Sequence, residues 1–250
     1  MEGTNLNYIE RTWAEINLDN MIESARIVRE ELLPDCKWMV VLKSNGYGHG
    51  AATMAPILER ECGADWFAVA CLAEAIELRQ AGLTRAYLGV ESGWDELLKK
   101  VNKGVTSEQM LQAAALLKNA GIDLWVTVIL GLAGPGEPSK KHVEETIRVL
   151  NRMQANHVSC LSYMPEPNSP MYQDVKEGRF QMITPREYLE ETRALVAGLN
   201  YGPFHFTSNH ASNYLPLKGT LPDDREKFLS MIDNALGGKQ RIRSEYSRAL

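Results

Sequence analysis

The stretch Val40–Gly50, VVLKSNGYGHG, joins a short apolar run to a glycine-rich turn, with a lysine at the junction. The apolar run is typical of a buried strand, and Gly46, Gly48 and Gly50 let the backbone turn tightly after it. Lys43 is therefore predicted at the carboxyl end of a strand, where barrel enzymes build their active sites. Burial there would lower the pKa of the lysine, so that its amine can form an imine with an aldehyde cofactor.

Short apolar runs rich in Val, Ile, Phe and Trp alternate with longer helical patterns along the chain. This rhythm is typical of βα units and a parallel sheet. A chain of 250 residues has the length of one β/α barrel. We therefore predict an α/β fold, a TIM-like (β/α) barrel in a single domain, 1–250. The predicted strands are Trp13–Ile16, Trp38–Leu42, Trp66–Ala70, Ala86–Val90, Leu124–Leu130, Val158–Tyr163 and Phe204–Thr207.

Apolar residues three and four apart predict helices between these strands. Asp19 is the predicted cap of the first helix, Thr106 and Gln109 open a later one, and Gly121 ends it. Because a closed barrel has eight strands, the seven predicted here leave two alternatives, a closed barrel and an open partial barrel. The predicted helices are Leu18–Leu33, Ala51–Cys62, Leu72–Ala81, Ser107–Ala120, Pro138–Asn156 and Pro185–Leu199.

Composition excludes several classes of function. The formal net charge is −5 without a basic block, so a nucleic-acid partner is not expected. Met1–Ile9 lacks the pattern of a secretion signal, and no apolar run approaches the roughly 18 residues of a membrane span. The four cysteines form no zinc pattern, and no metal site is predicted from His205 and His210. We expect a soluble cytoplasmic protein whose ligand is a small molecule.

Three segments of the front of the chain resemble alanine racemase and its fold-type III relatives. They are Arg11–Leu18 (RTWAEINL), Val40–Gly50 and Gly63–Gly82 (GADWFAVACLAEAIELRQAG). The resemblance implies pyridoxal phosphate (PLP) as cofactor, Lys43 as the lysine that binds it covalently, and Tyr47 as a hydroxyl donor to its phosphate. Association into a homodimer is a further expectation, because an incomplete barrel leaves exposed strand edges.

The rear of the chain resembles a different family. Arg85–Thr106 (RAYLGVESGWDELLKKVNKGVT) and Asp123–Glu137 (DLWVTVILGLAGPGE) are similar to the rear half of a radical S-adenosylmethionine (SAM) enzyme barrel. The simplest account is an engineered chimera of an alanine-racemase-like fragment, 1–84, and a radical-SAM-like fragment, 85–250. A natural hybrid is a weaker alternative.

The second resemblance implies what remains of a SAM pocket around Glu91, Ser92 and Gly131. Radical SAM enzymes hold an iron–sulfur cluster on a C-x3-C-x2-C loop, because thiolates are the ligands that such clusters prefer. This sequence has no such triplet, so no cluster and no radical chemistry are expected. Weak SAM or nucleotide binding is the remaining expectation for this half.

A polar loop after the last predicted strand is a candidate phosphate site. Ser208, Asn209 and Ser212 lie where many barrels bind phosphate through backbone amides and small polar side chains. They are therefore predicted to replace the phosphate-binding loop that the racemase resemblance implies. The alternative, which we favour, is that the loop is structural and merely closes one end of the barrel. Trp125 is likewise interpreted as a packing residue and not a ligand platform.

Two functional hypotheses follow. The first is a PLP-binding barrel with little or no racemase activity, because the resemblance implies a second base, a tyrosine from a carboxyl-terminal β domain, that this sequence lacks. The second is a folded scaffold without catalytic function, since each parent has lost essential parts. Formation of an imine at Lys43 would distinguish them.

Overall fold

The computed structural model describes residues 15–32, 36–69, 72–80 and 85–248. The chain divides into two compact units, Met1–Gly82 and Leu83–Leu250, which are described separately below. The first half of the predicted strand Trp13–Ile16 lies outside the described residues, and Glu15 and Ile16 have no regular secondary structure. None of the described helices is both long enough and apolar enough to cross a lipid bilayer.

The first unit contains two short parallel strands and the helices that connect them. Strands β1 and β2 pair in parallel, with Met39 opposite Trp66. The first helix is capped by Asn17, whose side chain accepts a hydrogen bond from the backbone N–H of Asn20, so the prediction of Asp19 as the cap was wrong. The elements are α1 (Leu18–Ile27) with a π-helical turn (Val28–Leu32), β1 (Met39–Val41), α2 (Lys43–Tyr47), α3 (Ala51–Cys62), β2 (Trp66–Ala68) and α4 (Leu72–Gln80).

The second unit is built on a five-stranded sheet in the order β3-β4-β5-β6-β7. The first four strands are parallel, and β7 runs antiparallel to β6. The elements are β3 (Arg85–Glu91), α5 (Asp95–Lys100), α6 (Ser107–Asn119), β4 (Asp123–Leu130), α7 (Glu137–Met153), β5 (His157–Ser162), α8 (Pro170–Lys176), α9 (Pro185–Gly198), β6 (Phe204–Thr207), β7 (Lys218–Leu221), α10 (Arg225–Leu236) and a 3-10 turn (Glu245–Ser247).

The parallel α/β class predicted from the sequence is confirmed, and each unit contains βα units of a TIM-like arrangement. The capping box of Thr106 with Gln109 and the left-handed Gly121 after α6 are present as predicted. Strand β7 lies in the segment after Phe204–Thr207, where a polar loop was predicted, and α2, α5, α8 and α10 were not predicted. The closed barrel and the open partial barrel both stay predictions.

The core of the second unit lies on one face of the sheet. Successive side chains of a strand point to opposite faces, and along β4 the side chains of Leu124, Val126, Val128 and Leu130 are almost fully buried. Helices α6 and α9 pack against β4. Trp125, Thr127 and Ile129, on the other face, are only partly buried. The two faces of the sheet therefore have different surroundings.

The turn after β3 depends on a glycine that lies against α7. A Cβ atom on Gly93 would come within 2.2 Å of the carbonyl oxygen of Glu145 and 2.7 Å of the Cα of Thr146. The backbone N–H of Gly93 donates to the hydroxyl of Thr146 at 2.9 Å. The residue therefore sets the separation between this turn and the helix.

We predict that Gly93→Ala destabilises the protein by about 3 kcal/mol, because the backbone of α7 must move to admit one methyl group. Gly237→Ala is the matched control, since its Cβ would lie no closer than 3.3 Å to a neighbour. The control should change stability by less than about 0.5 kcal/mol. Urea denaturation of both variants measures the difference, and equal effects would contradict the packing argument.

Candidate functional site

Lys43 lies at the carboxyl end of β1, as predicted. The backbone N–H of Leu42 donates to the carbonyl of Ala68 at 2.8 Å, which continues the β1–β2 pairing by one residue. Leu42 is buried, and Lys43, the next residue, is exposed. The expectation that the lysine is buried was therefore wrong, because the chain leaves the strand and turns outward at this residue.

The residues after Lys43 form a left-handed turn. Ser44, Asn45, Gly46 and Tyr47 have φ angles of 53°, 53°, 63° and 55°. This conformation suits glycine and is tolerated by asparagine, but it costs about 1 kcal/mol or more at an ordinary residue. Strained backbone of this kind is commonly found at ligand-binding sites, so it supports a functional role for the turn.

Hydrogen bonds from three directions hold the turn in place. The backbone N–H of Ser44 donates to Glu74 Oε1 at 2.6 Å, and that of Gly46 donates to the carbonyl of Leu42 at 2.9 Å. Asn45 Oδ1 accepts from the N–H of Ala51 at 2.8 Å, which fixes the start of α3. As a result the amine of Lys43 lies 5.9 Å from the centre of the Tyr47 ring.

A cavity of about 660 Å³ lies next to the turn. Its walls include the strand residues Val40 and Leu42 and the turn residues Gly46, Tyr47 and His49. His49 Nδ1 lies 2.9 Å from the carbonyl oxygen of Gly46 and thereby supports the turn. Lys43, the residue after Leu42, is not among the lining residues. The cavity has the size that small-molecule sites commonly have.

The predicted SAM-type residues Glu91 and Ser92 have partners within the second unit. Glu91 forms an ion pair with Lys103 at 2.9 Å. The hydroxyl of Ser92 is fully buried, lies 2.8 Å from His142 Nδ1 and accepts from the N–H of Trp94 at 3.0 Å. Burial lowers the pKa of His142 to about 4, so its ring is neutral near pH 7. Ser92 therefore ties β3 to α7 and is not available to a ligand.

Gly131, the third predicted SAM-type residue, is part of a buried polar network. Its backbone N–H donates to Glu191 Oε2 at 2.8 Å, and the hydroxyl of Ser139 donates to Glu191 Oε1 at 2.5 Å. Burial raises the pKa of Glu191 to about 7, although the two hydrogen bonds oppose this shift. A Cβ atom on Gly131 would lie 2.7 Å from the Tyr188 ring. The glycine therefore fits between a carboxyl group and an aromatic ring.

The loop with Ser208, Asn209 and Ser212 uses both of its serine hydroxyls internally. Ser208 Oγ donates to the carbonyl of Leu215 at 3.1 Å. Ser212 Oγ accepts from the N–H of Ser162 at 3.1 Å and lies 2.9 Å from Nδ1 of His210. Asn209 is exposed. These bonds favour the interpretation of the loop as structural, and its role as a phosphate cradle stays a prediction.

Sequence reasoning missed the buried polar residues Glu191 and Asn213. Asn213 accepts from Ser162 Oγ at 2.8 Å and donates to the carbonyl of Cys160 at 2.7 Å. A signal for Glu191 existed, because helical periodicity puts it on the same face as the buried residues Tyr188 and Leu195. A charged residue on the apolar face of a helix indicates a polar partner inside the fold.

We predict that the stabilising effect of Glu191→Gln, relative to the wild type, is roughly 3 kcal/mol larger at pH 8 than at pH 4. A shift of one pKa unit corresponds to about 1.36 kcal/mol. The pKa of this carboxyl is about 7 in the folded chain against an ordinary value of 4.5, so the wild-type protein loses stability as the pH rises between these values. A glutamine can accept from Gly131, donate to Ser139 and does not ionise.

Urea denaturation at several pH values measures this effect as the difference between variant and wild type, which cancels the contribution of the histidines. Glu190→Gln, an exposed neighbour on the same helix, is the control and should show no such pH-dependent difference. A difference for Glu191→Gln that does not change with pH would contradict the raised pKa.

Comparison with curated proteins finds alanine racemases. The chain is 40% identical to that of Synechocystis sp. over 79 residues, which are 32% of this chain and 21% of that protein. It is 34% identical to that of Lactobacillus delbrueckii subsp. bulgaricus over 147 residues, which are 56% of this chain and 39% of that protein. The chain therefore spans well under half the length of these relatives.

Comparison with solved structures finds a similar fold in archaeal Elp3 of Methanocaldococcus infernus, with a TM-score of 0.54 and 17% identity. The similarity covers 77% of this chain and 47% of that one. Methylornithine synthase (PylB) has a TM-score of 0.52 at 15% identity, over 76% of this chain and 56% of that one. At these identities the likeness concerns the fold alone.

The family model for the alanine racemase N-terminal domain matches residues 16–213. This match continues beyond Thr84, the predicted end of the racemase-like fragment. The chimera of two parents is therefore not confirmed and stays a hypothesis. The match includes Lys43 and the turn that follows it. Because it covers well over half of the 250 residues, the chain belongs to the alanine racemase N-terminal domain family.

Proposed function

We propose that the chain binds PLP covalently through Lys43 and has at most vestigial alanine-racemase-like isomerase chemistry on amino acids. The observation that carries this proposal is the strained left-handed turn after β1, which holds an exposed lysine amine 5.9 Å from the centre of an aromatic ring. The family match supports it, because fold-type III members bind PLP through a lysine at this motif.

The residues of the first unit fit the cofactor. An exposed amine is accessible to an aldehyde, and the hydroxyl of Tyr47, a residue with an exposed fraction of 58%, can donate to a phosphate. The adjacent cavity of about 660 Å³ has room for a pyridine ring. When bound, PLP supplies an electron sink that stabilises negative charge on the α-carbon of an amino acid. Lys43 would anchor it, Tyr47 would bind its phosphate, and Asn45 and His49 would hold the turn.

We propose little or no racemase activity. Inversion at the α-carbon requires one group that removes a proton on one side and another that returns it on the other side. Lys43 is a candidate for one of these groups. The resemblance assigns the other group to a tyrosine of a carboxyl-terminal β domain, and the family model that matches this chain is that of the N-terminal domain.

The chimeric origin is a further part of the proposal. The compact units divide between Gly82 and Leu83, two residues before the sequence changes in character at Arg85. The 40% identity to the alanine racemase of Synechocystis sp. extends over only 79 residues. Both observations favour a junction near Thr84–Arg85, with weak SAM or nucleotide binding as the alternative function of the second unit. The internal bonds of Ser92 weaken that alternative.

We predict that borohydride reduction in the presence of PLP labels Lys43 with a stoichiometry of one. Reduction makes the bond between the lysine amine and the cofactor permanent, so peptide mass spectrometry can locate it. Lys43→Arg should abolish the label because a guanidinium retains the positive charge but does not form an imine. Labelling spread over many lysines, or unchanged in Lys43→Arg, would refute the proposal.

Lys37→Arg is the control for this experiment, since Lys37 is an exposed lysine of the same unit that is ion-paired with Asp65 at 2.8 Å. It should leave the label at Lys43 unchanged. The interconversion of L- and D-alanine, measured on the same preparations, should not exceed that of Lys43→Arg. Substantial turnover by the wild-type chain would overturn the proposal of little activity while leaving cofactor binding intact.

We predict that Tyr47→Phe raises the PLP concentration needed for half-maximal labelling by about tenfold, the effect of losing one hydrogen bond to a charged phosphate. The ring and its contact with Lys43 remain in this variant. Tyr246→Phe is the control, because Tyr246 is fully exposed in the second unit. An unchanged concentration dependence in Tyr47→Phe would exclude its hydroxyl as a phosphate ligand.

A further inference from the structure

The second unit has a large cavity on the face of its sheet that is opposite the buried core. The cavity has a volume of about 1220 Å³. Arg85, Asp123 and His157, the first residues of β3, β4 and β5, line it together with His205 of β6 and Lys218 of β7. It therefore lies toward the amino ends of the parallel strands. Glu91 and Gly131, the predicted SAM-type residues, lie at or just beyond the carboxyl ends.

The side chains that line this cavity differ from those that usually fill the interior of a closed barrel. Bulky branched residues normally fill that space in layers. Here the same face carries Arg85, Trp125, His157 and His205, and further along the strands Thr207. These groups can bind a polar ligand but cannot form an apolar core. The surface therefore suits recognition of a hydrophilic molecule better than close packing.

Positive charge dominates the lining. Arg85 and Lys218 are permanent cations near pH 7, and Asp123 is the only carboxylate among the residues that line the cavity. Arg85 lies 3.8 Å from Asp123, so one positive charge is partly balanced. Lys218 and His205 are exposed, and within the described part of the chain neither takes part in an ion pair closer than 4 Å. The cavity therefore retains unbalanced positive charge.

The positive charge of the cavity also affects His157, which lies in its wall. The pKa of His157 falls to about 4, chiefly because the ring is buried and also because of the nearby charges of His205, Arg85 and Lys218. Its Nε2 lies 2.8 Å from Thr207 Oγ1, whereas its Nδ1 is buried and has no hydrogen-bond partner. A multivalent anion in the cavity would offset the positive charges around the ring.

Trp125 contacts both His157 and Arg85 in the wall of the cavity. The Trp125 ring lies 4.0 Å from the His157 ring, centre to centre, and the guanidinium carbon of Arg85 lies 4.2 Å from the centre of the Trp125 ring. The contact with the Trp125 ring holds the guanidinium of Arg85 in a defined position, and Arg85 also forms a hydrogen bond with Tyr87. Trp125, interpreted from the sequence as a packing residue, thus also orients a cation at the cavity.

We propose that this cavity is a binding site for a small molecule that carries a multivalent phosphate group, held by Arg85, His205 and Lys218. Arginine and lysine are the residues that most commonly bind phosphates, and the exposed amide of Asn209, which also lines the cavity, adds a neutral donor. The site is contained in the second unit and does not depend on PLP or on Lys43.

Isothermal titration calorimetry of the 250-residue chain with inorganic pyrophosphate, at pH 7 and low ionic strength, tests the proposal. We expect saturable binding at one site. Lys218→Gln should weaken it about tenfold, as the loss of one charge-assisted hydrogen bond predicts. Lys239→Gln removes the same charge from an exposed position outside the cavity and should leave the affinity unchanged.

Asp123→Asn keeps the proposal testable even if Lys218→Gln were to disturb the fold. It removes the carboxylate that repels an anion, so binding should become severalfold tighter, a gain that misfolding cannot produce. Lys43→Arg should bind pyrophosphate like the wild-type chain, which separates this site from the PLP site. Absence of saturable binding, equal losses in Lys218→Gln and Lys239→Gln, or no gain in Asp123→Asn would each overturn the proposal.

Discussion

The alternation of side chains along the parallel strands is the constraint on which both surfaces of the second unit depend. In β4, Leu124, Val126 and Val128 face the helices and are almost fully buried. Trp125 and Thr127, between them, must then point the other way. A one-residue shift in register would move the apolar side chains into the cavity and bury the polar ones. The buried core and the positive cavity are therefore two consequences of one strand pattern.

The same alternation explains how much of the fold could be predicted from the sequence. The apolar run Phe204–Thr207 and the helical pattern Ala51–Cys62 were predicted with the bounds that the structure has. Strand β7, Lys218–Leu221, was missed because a strand of four residues that contains a glycine and precedes a proline carries the pattern of a turn. Its pairing with β6 is a tertiary interaction that no local pattern encodes.

The candidate site was predictable in position but not in conformation. The end of the apolar run placed Lys43 at the end of β1, yet the burial expected for it was wrong. The left-handed turn that carries the lysine outward is held by Glu74 and by Ala51 of α3, and these contacts connect residues 6 to 30 positions apart. Backbone strain that depends on such contacts does not follow from the residue types of the turn alone.

The polar side chains of the second unit differ in whether they have hydrogen-bond or ion-pair partners within the fold. The hydroxyls of Ser92 and Ser212 bond to residues 50 positions away in the chain, and sequence reasoning could not distinguish them from free ligands. Lys218 and His205 line the cavity on the face of the sheet opposite the buried core, and within the described residues neither has an ion-pair partner within 4 Å. A buried hydroxyl that is already bonded gains little from a ligand, whereas an unbalanced positive charge beside a cavity is stabilised by one. The positive cavity is therefore a better candidate for the ligand site of the second unit than Ser92 and Ser212.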